Sequence, residues 1–193
     1  LSLPEMSPPF FISYLVFDAE TTGIRATLGS LVRSEQNRHR SHNVRVMVGD
    51  YELNDENFSD SSFGGSSSMI RGSARMPLED DYNAVRRALW IATDGTYKQA
   101  AGLFERKKTA LTQQNVSMKE IPPDFSRAPV VTHYGKPLTF EPDREKWEET
   151  ARRLSGLFED YPELYSSSVR VMFYSGDMLF VSSEDTEVAE PHT

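Results

Sequence analysis

The chain has 193 residues, of which 38% are hydrophobic and 26% charged, and its formal net charge is -8 at pH 7. Its length suits one ordinary domain, and eleven phenylalanines, eight tyrosines and two tryptophans supply a folded core rather than general disorder. The acidic balance disfavours direct nucleic-acid binding, which needs a basic surface. Zero cysteines exclude a disulfide, a thiolate nucleophile or a Cys-ligated metal site within the chain. No apolar stretch approaches the roughly 20 residues that cross a bilayer as a helix, and composition points to no compartment.

Residues 1–9 are proline-rich and read as an extended lead-in. The opening LSLPEMSPPFF has neither an initiator methionine nor a signal-peptide pattern, so it reads as a start part-way through a longer product. From Phe10 the pattern is β-like. Phe11, Ser13, Leu15 and Phe17 take one parity and Phe10, Ile12, Tyr14 and Val16 the other. Both faces are apolar, which predicts a central strand, with Asp18-Ala19-Glu20 starting a connection. TTGIRATLGSLVRSE then reads as a half-buried strand, with Gly23 and Gly29 marking a bulge or close backbone approach. QNRHRSH is polar and reads as a turn. VRVMVGDYEL gives a third strand with Val44, Val46 and Val48 on one face.

Residues 54–76 are rich in serine and glycine and read as a flexible loop or functional flap. Gly64-Gly65 lacks the lysine and hydroxyl spacing of a phosphate loop. Residues 77–111 carry the longest helical periodicity. Leu78, Tyr82, Val85 and Leu89 recur at spacings of three and four, and Trp90, Tyr97 and Phe104 form an aromatic row that reads as core. Pro77 suits a first helical turn, the acidic Glu79-Asp80-Asp81 suits its positive end, and Arg106-Lys107-Lys108 reads as solvated charge near the other end. The apolar rows stay in phase across Asp94-Gly95, which predicts one long helix with Gly95 as the place for a bend.

Residues 112–142 are fragmented by prolines and predict an irregular connection, with Val130–His133 a short edge strand. DREKWEETARRLSGLFEDY is the second helix. Asp143 reads as its N-cap, and Trp147, Ala151, Leu154, Phe158 and Tyr161 form its apolar stripe. The last block predicts a hairpin turning at Ser175-Gly176-Asp177. The closing SEDTEVAEPHT reads as a cut. The whole describes a single α+β domain over 1–193, with a largely antiparallel sheet and two helices on one face.

Chemistry is sparse. No HExxH, HExxxH or GxSxG sequence occurs, and the carboxylates after the third strand lack calcium-loop spacing. Arg33, Arg38, His39 and Arg40 belong to the one basic cluster before the long helix and are the candidate contacts for an anion or acidic partner.

The run PLEDDYNAVRRALWIATDGTYKQAAGLFERKKTAL, the following PDFSRAP, the early FFISYLVFD, RVMVGDYELNDENF and the late WEETARRLSGLFEDYPELYSSSVRV resemble the N-terminal region of a subgroup of TldD/PmbA-like proteins. The resemblance covers almost the whole chain. It implies the N-terminal domain of a two-domain zinc metalloprotease family that assembles as dimers, some members of which carry the older name modulator of DNA gyrase. Active members take their metal ligands from an HExxxH motif and a later cysteine. Neither exists here, so no catalytic or ligand position carries over. The fragment itself calls for no cofactor, and zinc would belong to the full-length parent. The implied partners are the C-terminal part of the same polypeptide, a second copy or related subunit, and a peptide substrate. In that setting Phe58, Phe63 and Met69 are candidate loop contacts in substrate enclosure. Two alternatives stand beside this reading: a non-enzymatic binding or assembly domain, and a regulator linked to DNA gyrase.

Overall fold

The computed structural model describes residues 6–58, 74–114, 122–136 and 141–192. Their elements, in chain order, are β1 (Pro9–Thr27), β2 (Ser30–Val48), β3 (Ala74–Arg75), α1 (Tyr82–Gln113), β4 (Thr132–Tyr134), α2 (Arg144–Gly156), a 3-10 segment (Leu157–Asp160), β5 (Val169–Ser182) and β6 (Glu187–His192). The six strands form one mixed, mostly antiparallel sheet in the order β3-β2-β1-β5-β6-β4. The fold is α+β, as the sequence predicts. The chain divides into two compact units. One comprises Leu1–Val16, Arg40–Tyr134 and Leu179–Ala189, and the other Phe17–His39, Gly135–Met178 and Glu190–Thr193.

The predicted three-strand meander is corrected to two long strands. β1 runs through Asp18-Ala19-Glu20 without a break, and QNRHRSH lies inside β2 rather than in a turn. The reversal falls at Leu28-Gly29, with φ of 44° and 68°. Two consecutive positive φ values are the signature of a two-residue I′ hairpin turn, whose twist matches that of the flanking strands. Glycine adopts this conformation freely and leucine does so at a cost. The polar run QNRHRSH misleads because exposed strand positions can be as polar as a turn: residues 36–39 are all exposed.

In the first unit, α1 covers one face of β2. Val44, Val46, Val48, Leu53, Tyr97, Ala100, Ala101 and Phe104 form the buried cluster, with Ile12, Tyr14 and Leu89 packed against it. The three valines share one strand parity, as predicted. Burying each such side chain contributes about 1.5–3 kcal/mol. α1 starts later than predicted. Asp81 is its N-cap, accepting from the Ala84 N–H at 2.7 Å, so Pro77 and the acidic residues precede the helix. The helix continues through Gly95 to Gln113. Trp90 is a second correction. It is 62% exposed, whereas Tyr97 and Phe104, seven and fourteen residues on, are buried. Among the described residues, all fully buried α1 positions lie between Thr93 and Lys107, and the first turns are only partly covered. At the sheet edge, β4 pairs in parallel with β6 (Thr132↔Glu187, Tyr134↔Ala189), the short edge strand expected near Val130–His133.

In the second unit, Ile24, Ala26 and Ala151 form a smaller cluster with Leu31, Val169 and Val171 against it. Asp143 caps α2 as predicted, accepting from the Lys146 N–H at 3.1 Å. The helix end meets the β1–β2 turn closely: Ser155 Oγ accepts from the Gly29 N–H at 3.1 Å. A Cβ on Gly156 would stand 3.6 Å from the Gly29 Cα. The predicted hairpin at Ser175-Gly176-Asp177 is corrected to the interior of the continuous strand β5. Gly176 leaves room for the close backbone of β1, the neighbouring strand in the sheet. A Cβ at that position would lie 2.6 Å from the Asp18 carbonyl oxygen and 2.8 Å from the Ala19 Cα. The real reversal follows at Ser183–Thr186, in the first unit, where Ser182 N–H donates to Thr186 O at 2.9 Å and Asp185 has φ 61°.

Candidate functional site

A dense polar arrangement surrounds residues 49–58, directly after β2. Gly49 has φ 114°, and a Cβ there would lie 2.3 Å from the Leu53 oxygen and 2.7 Å from the Phe104 ring, so only glycine lets the chain turn under α1. Asp50 Oδ1 accepts from the N–H groups of Glu52 and Leu53 at 2.9 and 2.8 Å. Asn54 is fully buried. Its amide donates to Asp50 O at 3.2 Å, and its Oδ1 accepts from the Glu56 N–H at 2.8 Å. Asp55, also buried, accepts from the Val48 N–H at 2.8 Å. These bonds satisfy backbone donors that burial would otherwise leave without water.

Lys107 and Asp124 lock this loop to α1. Lys107 is 5% exposed. Its Nζ donates to Glu56 O at 2.6 Å and to Asp124 Oδ2. The same Asp124 oxygen accepts from the Asn54 N–H at 2.9 Å, and Asp124 Oδ1 accepts from the Asn57 amide at 3.3 Å. Lys107 is therefore no solvated helix-end charge, which corrects the reading of Arg106-Lys107-Lys108. Beside this pair lies a cavity of about 370 Å³, lined by Asn57, Phe58, Lys107, Ala110, Leu111, Gln114, Pro122, Pro123 and Asp124. Further along the same unit Tyr51 stacks on Phe125 at 5.9 Å between centroids, with Arg127 over Tyr51 at 4.6 Å and Arg45 over Phe125 at 5.5 Å.

Of the described residues singled out from sequence, all but one fall elsewhere. Arg33 is exposed and pairs with Glu35 at 2.6 Å. Arg38 is bidentate to Asp18, at 2.9 and 2.7 Å. His39 is exposed. Arg40, in the first unit, is buried. It holds Asp80 at 2.6 Å and the Pro77 and Glu79 carbonyls at 3.3 and 3.5 Å. The structure thus gives each arginine an acidic neighbour and sets the buried Arg40 apart as a clamp on the approach to α1. Phe58 is the exception, since it lines the cavity beside Lys107. Phe63 and Met69 lie outside the described residues. The two ends of the predicted 54–76 loop are structured: Asn54 bridges to Gly49, and Ala74–Arg75 pairs with β2.

Sequence reasoning missed Lys107, Asp124, Asn54 and Asp55. One signal existed: Lys107 stands three residues after Phe104, four before Leu111 and seven after Ala100, on the buried face of α1. Asp124 offered none, because its role depends on a segment returning from distant sequence.

The second unit holds a polar cavity of about 310 Å³, lined by Glu20, Thr22, Gln36, Glu141, Pro142, Arg144, Phe173 and Ser175. Nearby, Glu148 accepts from the Ser34 hydroxyl at 2.5 Å and from Arg144 Nε at 3.1 Å. These bonds hold its carboxyl below the usual carboxylate range, the serine contributing most. Among the described residues no three His, Asp or Glu side chains are grouped so as to hold a metal ion. No helix among them is long and apolar enough to cross a membrane.

No family model matches the chain, and no curated protein matches it. Among solved structures it is similar to TldE from Thermococcus kodakarensis, at 9% sequence identity with a TM-score of 0.44. The alignment covers 94% of this chain and 34% of that one, so this chain spans about a third of the length of the protein it matches.

Proposed function

We propose that this chain is a non-catalytic accessory domain of a longer TldD/PmbA-like protein, contributing to substrate enclosure or dimer assembly. The reading starts from the residue resemblance centred on residues 77–111. The observation that carries it is the row of exposed apolar side chains where α2 passes into the 3-10 segment. Leu154 in α2, Leu157 and Phe158 in the 3-10 segment and Tyr161 just beyond it all face solvent, with Leu157 at 59% and Tyr161 at 54% exposure. Large apolar side chains exposed together on one short stretch of chain mark an interaction surface. A non-enzymatic binding or assembly domain would use the same row, and the parent polypeptide separates the two readings.

Two measurements test this. The parent reading frame should contain HExxxH and a later cysteine, and the purified full-length protein should bind zinc. A frame lacking both removes the peptidase parent and leaves the binding domain. Independently, Leu157→Glu with Tyr161→Glu should weaken association of the domain with the rest of its polypeptide, or of full-length copies with one another, by at least about tenfold, the equivalent of roughly 1.4 kcal/mol. The melting temperature should stay unchanged. Sedimentation that is the same for both proteins would sink the assembly role of this row.

A further inference from the structure

The geometry points to the cavity beside Lys107 as a binding site for a small, uncharged, mainly apolar molecule that carries one hydrogen-bond acceptor. This goes beyond the assembly reading and uses a different surface. Four features of the first unit carry it. At about 370 Å³ the cavity falls in the range of small-molecule sites, roughly 300–1,000 Å³. Phe58, Ala110, Leu111, Pro122 and Pro123 make most of its lining apolar. The one ammonium on its wall, Lys107, is 95% buried and has three N–H donors, of which Glu56 O and Asp124 Oδ2 take two among the described residues. A ligand carbonyl can take the third. Finally, the lysine is balanced by the Asp124 carboxylate on the same wall. An anion would meet Asp124 and a cation would meet Lys107, so a neutral acceptor avoids both repulsions. A primary or secondary carboxamide on a compact hydrocarbon fits this description.

The test uses three probes of one shape: cyclohexanecarboxamide, the cyclohexanecarboxylate anion and the cyclohexylmethylammonium cation. Each is titrated into the isotopically labelled full chain while the Ala110 and Leu111 methyl signals and the Lys107 Nζ signal are followed by NMR. The carboxamide should shift all three signals together. The two charged probes should bind about tenfold more weakly, the scale of one hydrogen bond to a charged group. Ala110→Phe fills the cavity without touching the ion pair and should abolish the carboxamide shifts. Ala110→Met, a milder change, should reduce its affinity if the phenylalanine variant does not fold. Three outcomes overturn the assignment: no response to the carboxamide up to its solubility limit, preference for either charged probe, or shifts that persist in the folded cavity-filled variant. None of them bears on the Leu157 and Tyr161 association test.

Discussion

In the unit built on α1, a lysine and two acidic side chains are buried while eight residues close a core over β2. In the unit built on α2, only Ala151 and Ser155 of the helix are buried, and Leu154, Leu157, Phe158 and Tyr161 face solvent. The first unit places charge inside and the second places apolar surface outside, each the reverse of the simple expectation. The reversals have different consequences. Buried charge is tolerated only when its partners are fixed, so it makes the first unit brittle toward single changes. Exposed apolar surface costs little locally, so the second unit should tolerate substitutions there and show their effect in association.

The largest effect should come from separating the buried pair. Lys107→Met leaves the Asp124 carboxylate without its cation and should destabilise the protein by about 3–5 kcal/mol, read from urea unfolding. Adding Asp124→Leu should recover part of that loss, because no unpaired charge then remains. The recovery is bounded, since Asn54 and Asn57 also lose their acceptor. If Lys107→Met costs less than about 1 kcal/mol, the pair is an ordinary surface ion pair and the contrast between the units fails.

Glycines give a second, smaller test, and here the sign changes with position. Gly176→Ala drives a Cβ into the β1 backbone and should cost about 1–3 kcal/mol, because the close atoms are main chain and cannot swing aside. Gly95→Ala meets nothing within 4 Å in the middle of α1 and should stabilise by about 1 kcal/mol, the helix-propensity difference. Paired thermal melts measure both. A destabilised Gly95→Ala would mean that the outer face of α1 is packed against something.

These glycines also show what the sequence could and could not reveal. Period-two valines in β2, the Asp143 cap and the apolar phase across Gly95 are local features, and each appears in the structure as predicted. Gly176 and the QNRHRSH run were misread because turn-like composition has a second cause. One is a close backbone approach between neighbouring strands and the other an exposed strand face, and both depend on neighbours distant in sequence. Trp90 was misread for a related reason. It shares a helix row with Tyr97 and Phe104, but periodicity reports which face is apolar and not how far along the helix the cover extends. The Lys107–Asp124 pair was hidden because its members stand 17 positions apart, one on α1 and the other in the irregular chain beyond Pro122-Pro123.

The smallest effect belongs to the second unit and concerns pH. Glu148 accepts from the Ser34 hydroxyl, from Arg144 Nε and, at 3.9 Å, faces Arg152. Ser34 is itself held by Arg144, which donates to its Oγ and carbonyl oxygen at 2.8 Å each. The net result is a carboxyl that ionises more readily in the folded protein than in the unfolded chain, despite the opposing effect of its partial burial. A folded-state value below the unfolded one means the native state binds fewer protons in the acid range, so its stability rises with pH there. The contribution is fully present above the ordinary carboxylate range and disappears as the pH falls through that range to the lowered folded value. Glu148→Gln keeps the shape and removes the titration. Its stability relative to the parent should therefore be lower at neutral pH and converge with the parent on acidification. Ser34→Ala, which removes the strongest cause, should flatten the parent's slope in the same direction. A constant difference between parent and Glu148→Gln across the acid range would show that the glutamate serves as a spacer rather than as an anion between β2 and α2.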